Sequence, residues 1–166
     1  MISDSPYAQD ELVLSPAGGI AAGITASIAM LVLLFGLSPF SGLSVPDALG
    51  RIGGALSGGA GTSATRVLLG GMLHLTAGAV CGLLYAVSQR RLPGPTLIGV
   101  GAFYGLAIWV ASRVFGWFFF APPLRQMVRS RAWFLAMLLY GLCLSVWAVW
   151  TESHRAAVPA PALPKD

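Results

Sequence analysis

The sequence is poor in charge. Only 10% of its 166 residues are Asp, Glu, Lys or Arg, against about 25% in an ordinary soluble domain. Too few solvated side chains remain to cover a water-facing surface, and mean hydropathy is +0.77. Cysteine is scarce as well. Cys81 and Cys143 lie in apolar runs with no CxxC pair, which excludes a disulfide framework and a dithiol redox site. The first sixteen residues hold Asp4, Asp10 and Glu11 but no Lys or Arg, so a cleaved signal peptide is not expected. The ten Lys and Arg residues are scattered, for a net charge of +4. No run can track a phosphate backbone, and nucleic acid is not expected as a partner.

What is abundant is apolar, at 56% of residues, with eight Phe and five Trp. That richness argues against disorder despite 21 Gly and 11 Pro. A bilayer core about 30 Å thick needs about 20 apolar residues in helix. Four segments meet the requirement: Ala17 to Leu37, Val67 to Val87, Thr96 to Trp117 and Ala132 to Trp150. In lipid every backbone amide needs an internal partner, so the runs are expected to be helices. The predicted fold is all-α, an integral membrane four-helix bundle over 17–150 with tails at 1–16 and 151–166.

In the first loop Val45, Leu49, Ile52 and Leu56 recur at helical spacing. They predict a short interfacial amphipathic helix lying along the membrane surface. The Gly-rich run after it, Ser57 to Ser63, lacks the Lys-Ser/Thr ending of a phosphate-binding loop and follows no strand. It reads as a connector. With four spans, five Arg fall on one side and four Lys or Arg on the other, so the positive-inside rule leaves orientation open.

Small residues recur along one face of each span: Gly19, Gly23 and Ser27; Gly71, Gly78 and Gly82; Gly101, Gly105, Ser112 and Gly116; Gly141 and Ser145. Lipid gives helices no hydrophobic reason to associate, so close backbone approach through such faces is the expected packing device. Room for a flat ligand such as a quinone, carotenoid or tetrapyrrole at a subunit interface is the alternative. His74 is the one imidazole well inside a span, on the small-residue face of the second helix. It reads as an interhelical hydrogen bond or, alternatively, as an axial ligand to haem or chlorophyll. Arg113 is expected to snorkel to the interface or meet a headgroup or neighbouring subunit. Trp117, Trp147 and Trp150 fit interfacial belts in contact with lipid or partner subunits.

All six acidic residues, Asp4, Asp10, Glu11, Asp47, Glu152 and Asp166, fall outside the expected spans. Proton-coupled transport generally needs a titratable relay in the membrane, so a small transporter or channel acting alone is the less favoured reading. No catalytic triad, carboxylate pair or metal-ligand set can be assembled around His74, and the chain is not expected to be an enzyme by itself.

Tyr104-Gly105-Leu106 in the third span is echoed by Tyr140-Gly141-Leu142 in the fourth. Together with Ala17-Gly18-Gly19-Ile20-Ala21-Ala22-Gly23, His74-Leu75-Thr76-Ala77-Gly78 and Pro122-Pro123-Leu124, these segments resemble a family of small four-helix bacterial membrane proteins of unknown function. The resemblance covers most of residues 17 to 150. It implies the architecture and a bacterial inner (plasma) membrane location. A histidine commonly precedes the last Tyr-Gly in that pattern; here the residue is Met137, which weighs against a paired-histidine site. The functional expectation is an accessory, non-catalytic subunit of a multi-subunit membrane complex, energy-transducing (respiratory or photosynthetic) by analogy. Other subunits and bound lipids would be its partners. A haem-, chlorophyll- or quinone-binding module using His74 is the alternative.

Overall fold

The computed structural model describes residues 14–41, 44–57, 62–89, 94–119, 125 and 128–157. Among them are five helices and no strand: α1 (Pro16–Ser41), α2 (Val45–Ser57), α3 (Ala64–Ser88), α4 (Gly94–Phe119) and α5 (Arg131–Ala157). The stretches Pro16–Pro39, Ala64–Ser88, Pro95–Phe115 and Arg131–His154 are long and apolar enough to cross a membrane. The last runs past Trp150. Glu152, expected beyond the span, therefore sits on α5 near its end, half-buried. The tails are described at residues 14–15 and along the end of α5, the Gly58–Gly61 stretch lies outside the described residues, and so does the side chain of Trp117.

Serines start three of the helices. Ser15 Oγ accepts the Gly18 amide at 3.1 Å, with Pro16 opening α1. Ser130 Oγ accepts the Trp133 amide at 3.1 Å. Ser44 Oγ accepts the Asp47 amide at 3.2 Å while donating to the Asp47 carboxylate, a reciprocal cap for the first turn of α2.

α1 is central. It packs against α3 on one side and α5 on the other, while α4 packs on α5 and α2 on α3. The α1–α3 seam is made of Gly19, Gly23 and Ser27 facing Gly78, Gly82 and Ala86 in antiparallel order. A Cβ on Gly19 would stand 2.7 Å from the Gly82 carbonyl oxygen, and one on Gly82 2.6 Å from the Gly23 Cα. Only hydrogen fits between the backbones. The α4–α5 seam repeats the device, with Gly101 and Gly105 against Gly141, Ser145 and the backbone at Met137; a Cβ on Gly141 would lie 2.9 Å from the Gly105 Cα. In lipid such contacts carry the dispersion energy that holds helices together.

Between the seams the core is larger side chains. Ala22, Ala26, Met30 and Leu34 recur every four residues on α1, and Ala136, Tyr140, Leu144 and Ala148 do so on α5; all eight are buried. They join two apolar clusters, one around Tyr85, Leu97 and Leu144 and one around Met30, Val128 and Trp133. Outward faces carry Val32, Phe35, Leu68 and Phe103, and helices apolar all round are what lipid requires.

α2 is the short amphipathic helix expected in the first loop, and it docks on α3 through the residues beside its apolar stripe. Its buried residues are Ala48, Leu49, Gly50, Gly53 and Gly54. Val45 and Ile52 pack against the second cluster, and Leu56 is exposed. The reason is steric: Gly53 lies against the Arg66 carbonyl and Gly70 against the Leu49 carbonyl, so two backbones touch where larger residues would hold them apart.

Candidate functional site

The residues of α3 at spacing four are Gly70, His74, Gly78, Gly82 and Ala86. Gly78 and Gly82 meet α1, and Gly70 meets α2. At His74 the small-residue row is interrupted by an imidazole that no glycine faces, so α1 and α3 cannot keep their closest approach there. A cavity of about 340 Å³ opens at this point. Ser27 and Met30 of α1 line it, with His74, Ala77 and Cys81 of α3 and Trp133, Met137 and Tyr140 of α5. Ile52 of α2 and Ile108 of α4 also belong to the wall, with Leu73, Gly78 and Val128. The lining is overwhelmingly apolar and the cavity is partly open.

Backbone carbonyls hold two of its polar side chains, His74 and Tyr140. His74 Nε2 lies 3.2 Å from the Ser27 carbonyl oxygen, bridging α3 to α1. Tyr140 Oη donates to the Gly78 carbonyl at 2.7 Å, bridging α5 to α3. Tyr104 Oη donates to the Cys81 carbonyl at 2.7 Å, bridging α4 to α3. The repeated Tyr-Gly pair thus has one meaning in both helices: the tyrosine reaches a carbonyl of α3, and the following glycine enters the α4–α5 seam. Tyr140→Phe is expected to cost about 0.5–1 kcal/mol, the usual worth of an interhelical hydrogen bond in a membrane protein. The Gly78 carbonyl keeps its place in the helical ladder, so the loss is one bond and not a bare polar group. Equilibrium unfolding in mixed micelles measures it, and a loss above about 2 kcal/mol would mean that the hydroxyl does more than this.

The other sequence candidates lie apart from the cavity. Arg113 is exposed, its guanidinium 5.0 Å from the centre of the Trp109 ring. Trp147 stacks edge-on with Trp150 at 5.8 Å, and Trp150 leans on His154 at 4.3 Å. Gly19, Gly23, Gly78, Gly82, Gly101, Gly105 and Gly141 are seam residues, Gly78 also lining the cavity. Gly71 has a single distant neighbour, Leu49; Gly70 beside it makes the contact. Among the described residues no group of three His, Cys, Asp or Glu is placed to hold a metal ion. Two buried polar atoms there, Tyr85 Oη and Trp109 Nε1, have no partner.

Several of these features escape a reading of the spans one at a time. Ser27 was legible as a small residue but not as the partner of His74, because the accepting atom is a main-chain oxygen that every residue has. The spacing of four from Gly70 to Ala86 was the available signal for the α2 contact and for the break at His74.

Fold and site together define a multi-pass membrane protein, a bundle of four candidate spanning helices with a small apolar cavity between them. The chain belongs to a family of unknown function, DUF6789, whose model matches residues 13–158. No curated protein and no solved structure matches it.

Proposed function

We propose that this protein is a non-catalytic membrane module that holds an apolar molecule in the cavity between α1, α3 and α5. The observation that carries the reading is the cavity itself. Ligand sites are concave and mostly apolar with a few placed polar groups, and usually run from about 300 to 1,000 Å³. This one, at about 340 Å³, has room for a one-ring head group and not for a four-ring macrocycle. That volume favours a quinone-sized occupant over haem or chlorophyll.

Among the described residues no carboxylate lines the cavity with His74. The described acidic residues, Asp47 and Glu152, stand at the start of α2 and near the end of α5. That supports binding over proton-coupled transport or catalysis. A place in the bacterial plasma membrane, and service to a larger energy-transducing complex, belong to the same proposal. The docking tails that such a role would use, residues 1–13 and 158–166, lie outside the described residues.

Ala77 lines the cavity and is exposed on α3, so a large side chain there fills space without entering a seam. Organic extracts of the gently solubilised protein should contain an apolar compound enriched about tenfold over an Ala77→Trp variant of equal helicity, the discrimination that about 1.4 kcal/mol provides. Identical extracts, holding the same bulk lipids in the same proportions, would overturn the proposal.

A further inference from the structure

The cavity has a chemical preference. A carbonyl oxygen can only accept a hydrogen bond, so the 3.2 Å contact between His74 and Ser27 requires the hydrogen to sit on Nε2. The ring is neutral, because no carboxylate stands in the cavity lining to balance a cation and an isolated charge in hydrocarbon is costly. A neutral imidazole with hydrogen on Nε2 carries a lone pair on Nδ1. Nδ1 has no hydrogen-bond partner among the described residues, and His74 lines the cavity. Tyr140 Oη, also in the lining, spends its hydrogen on Gly78 and has none left to give a ligand. We infer that the cavity selects apolar molecules carrying an O–H donor, a phenol, hydroquinone or prenyl alcohol, over the matching ether or ketone, with His74 Nδ1 accepting that hydrogen.

The inference rests on the cavity being a ligand site, and it adds the polarity of the contact. Recognition by a single acceptor discriminates because a ligand without a donor leaves that acceptor buried and unpaired. Met30, Ile108, Val128 and Met137, elsewhere in the lining, supply apolar contact that an ether would satisfy equally. Trp133 Nε1 spends its hydrogen on Ser112 Oγ, and a phenol oxygen accepts from the Ser27 hydroxyl or Cys81 thiol of the lining as an ether oxygen does. The difference is therefore confined to one bond.

The matched pair is 4-pentylphenol and its methyl ether, titrated into the purified full chain with ¹⁵N-labelled histidine. Nitrogen shifts of the free protein should report hydrogen on His74 Nε2 and none on Nδ1. The Nδ1 signal should move saturably with the phenol, and the phenol should bind about tenfold more tightly than the ether. In His74→Phe the two affinities should become equal. The wild-type comparison decides the matter if that variant does not fold. Equal binding of both compounds, or hydrogen found on Nδ1, overturns the donor preference while leaving the cavity a ligand site. Binding of neither compound, with no compound enriched over the Ala77→Trp variant, overturns both.

Discussion

Gly23→Leu should be the most damaging single substitution in the bundle. A Cβ there would lie against the carbonyl of Gly78, 2.9 Å from its carbonyl carbon and 3.0 Å from the Gly82 Cα. The obstructing atoms are backbone, so no side chain can swing away; α1 and α3 must separate. Separation also opens the Gly19–Gly82 and Ser27–Gly78 contacts, because one rigid seam holds all three. Overpacking usually costs about 1–3 kcal/mol, and a backbone-to-backbone clash belongs at or beyond the top of that range. Equilibrium unfolding in mixed micelles should show a loss of about 3 kcal/mol or more. Gly36→Leu supplies the control. Nothing lies within 4 Å of a Cβ at Gly36, so its effect should stay within about 0.5 kcal/mol. Equal behaviour of the two variants would mean that the α1–α3 seam does not hold the bundle.

That contrast shows what was and was not legible in the sequence. Gly19, Gly23, Gly78 and Gly82 could be found from spacing, since small residues four apart on an apolar helix have one common use in lipid. The spans could be found from length and hydropathy. Gly53 could not be found the same way, and Gly70 only as a member of the α3 row spaced by four. In the first loop the eye goes to Val45, Leu49, Ile52 and Leu56, and the pattern of large residues predicts a membrane-surface stripe; the glycines beside them decide the docking. Glu152 was misplaced by a few residues because apolar composition ends at Trp150 while hydrogen bonding carries α5 on to Ala157.

The candidate site was half legible. His74 stands out as the one imidazole inside a span, and its neighbours Gly78 and Cys81 are in the cavity lining with it. Met137, noted only as a missing histidine, proves to be a wall residue, filling the lining with a flexible apolar side chain instead of a second ligand. The cavity is not a property of any one helix. It comes from the break in the α3 row opposite Ser27, together with Trp133 and Tyr140 arriving from a helix much further along the chain. Pairings of that kind depend on the contact order of the helices, which composition and period do not carry.

α2 offers the second large effect. It has 13 residues, about the length at which an isolated helix becomes marginal. Gly50, Gly53 and Gly54 lie within it, and each glycine costs a helix about 1 kcal/mol relative to alanine. Left to itself the segment should not stay helical, so what keeps it folded is docking on α3 through Gly53 and Gly70. A Cβ on Gly53 would press on the Arg66 carbonyl and stand 2.9 Å from the Gly70 amide nitrogen. Gly53→Leu improves intrinsic helix propensity, and propensity alone predicts a more stable α2. Docking predicts the reverse. Amide exchange across Val45–Ser57 should rise on the order of 100-fold, with exchange in α1, α3, α4 and α5 unchanged. Ala55→Leu, at an exposed position of the same helix, should leave exchange at or below its original rate. Ile52 should leave the cavity wall with the helix, so Gly53→Leu should also weaken retention of any bound apolar compound. Slower exchange in Gly53→Leu would show that α2 holds itself together and that its glycines do not anchor it.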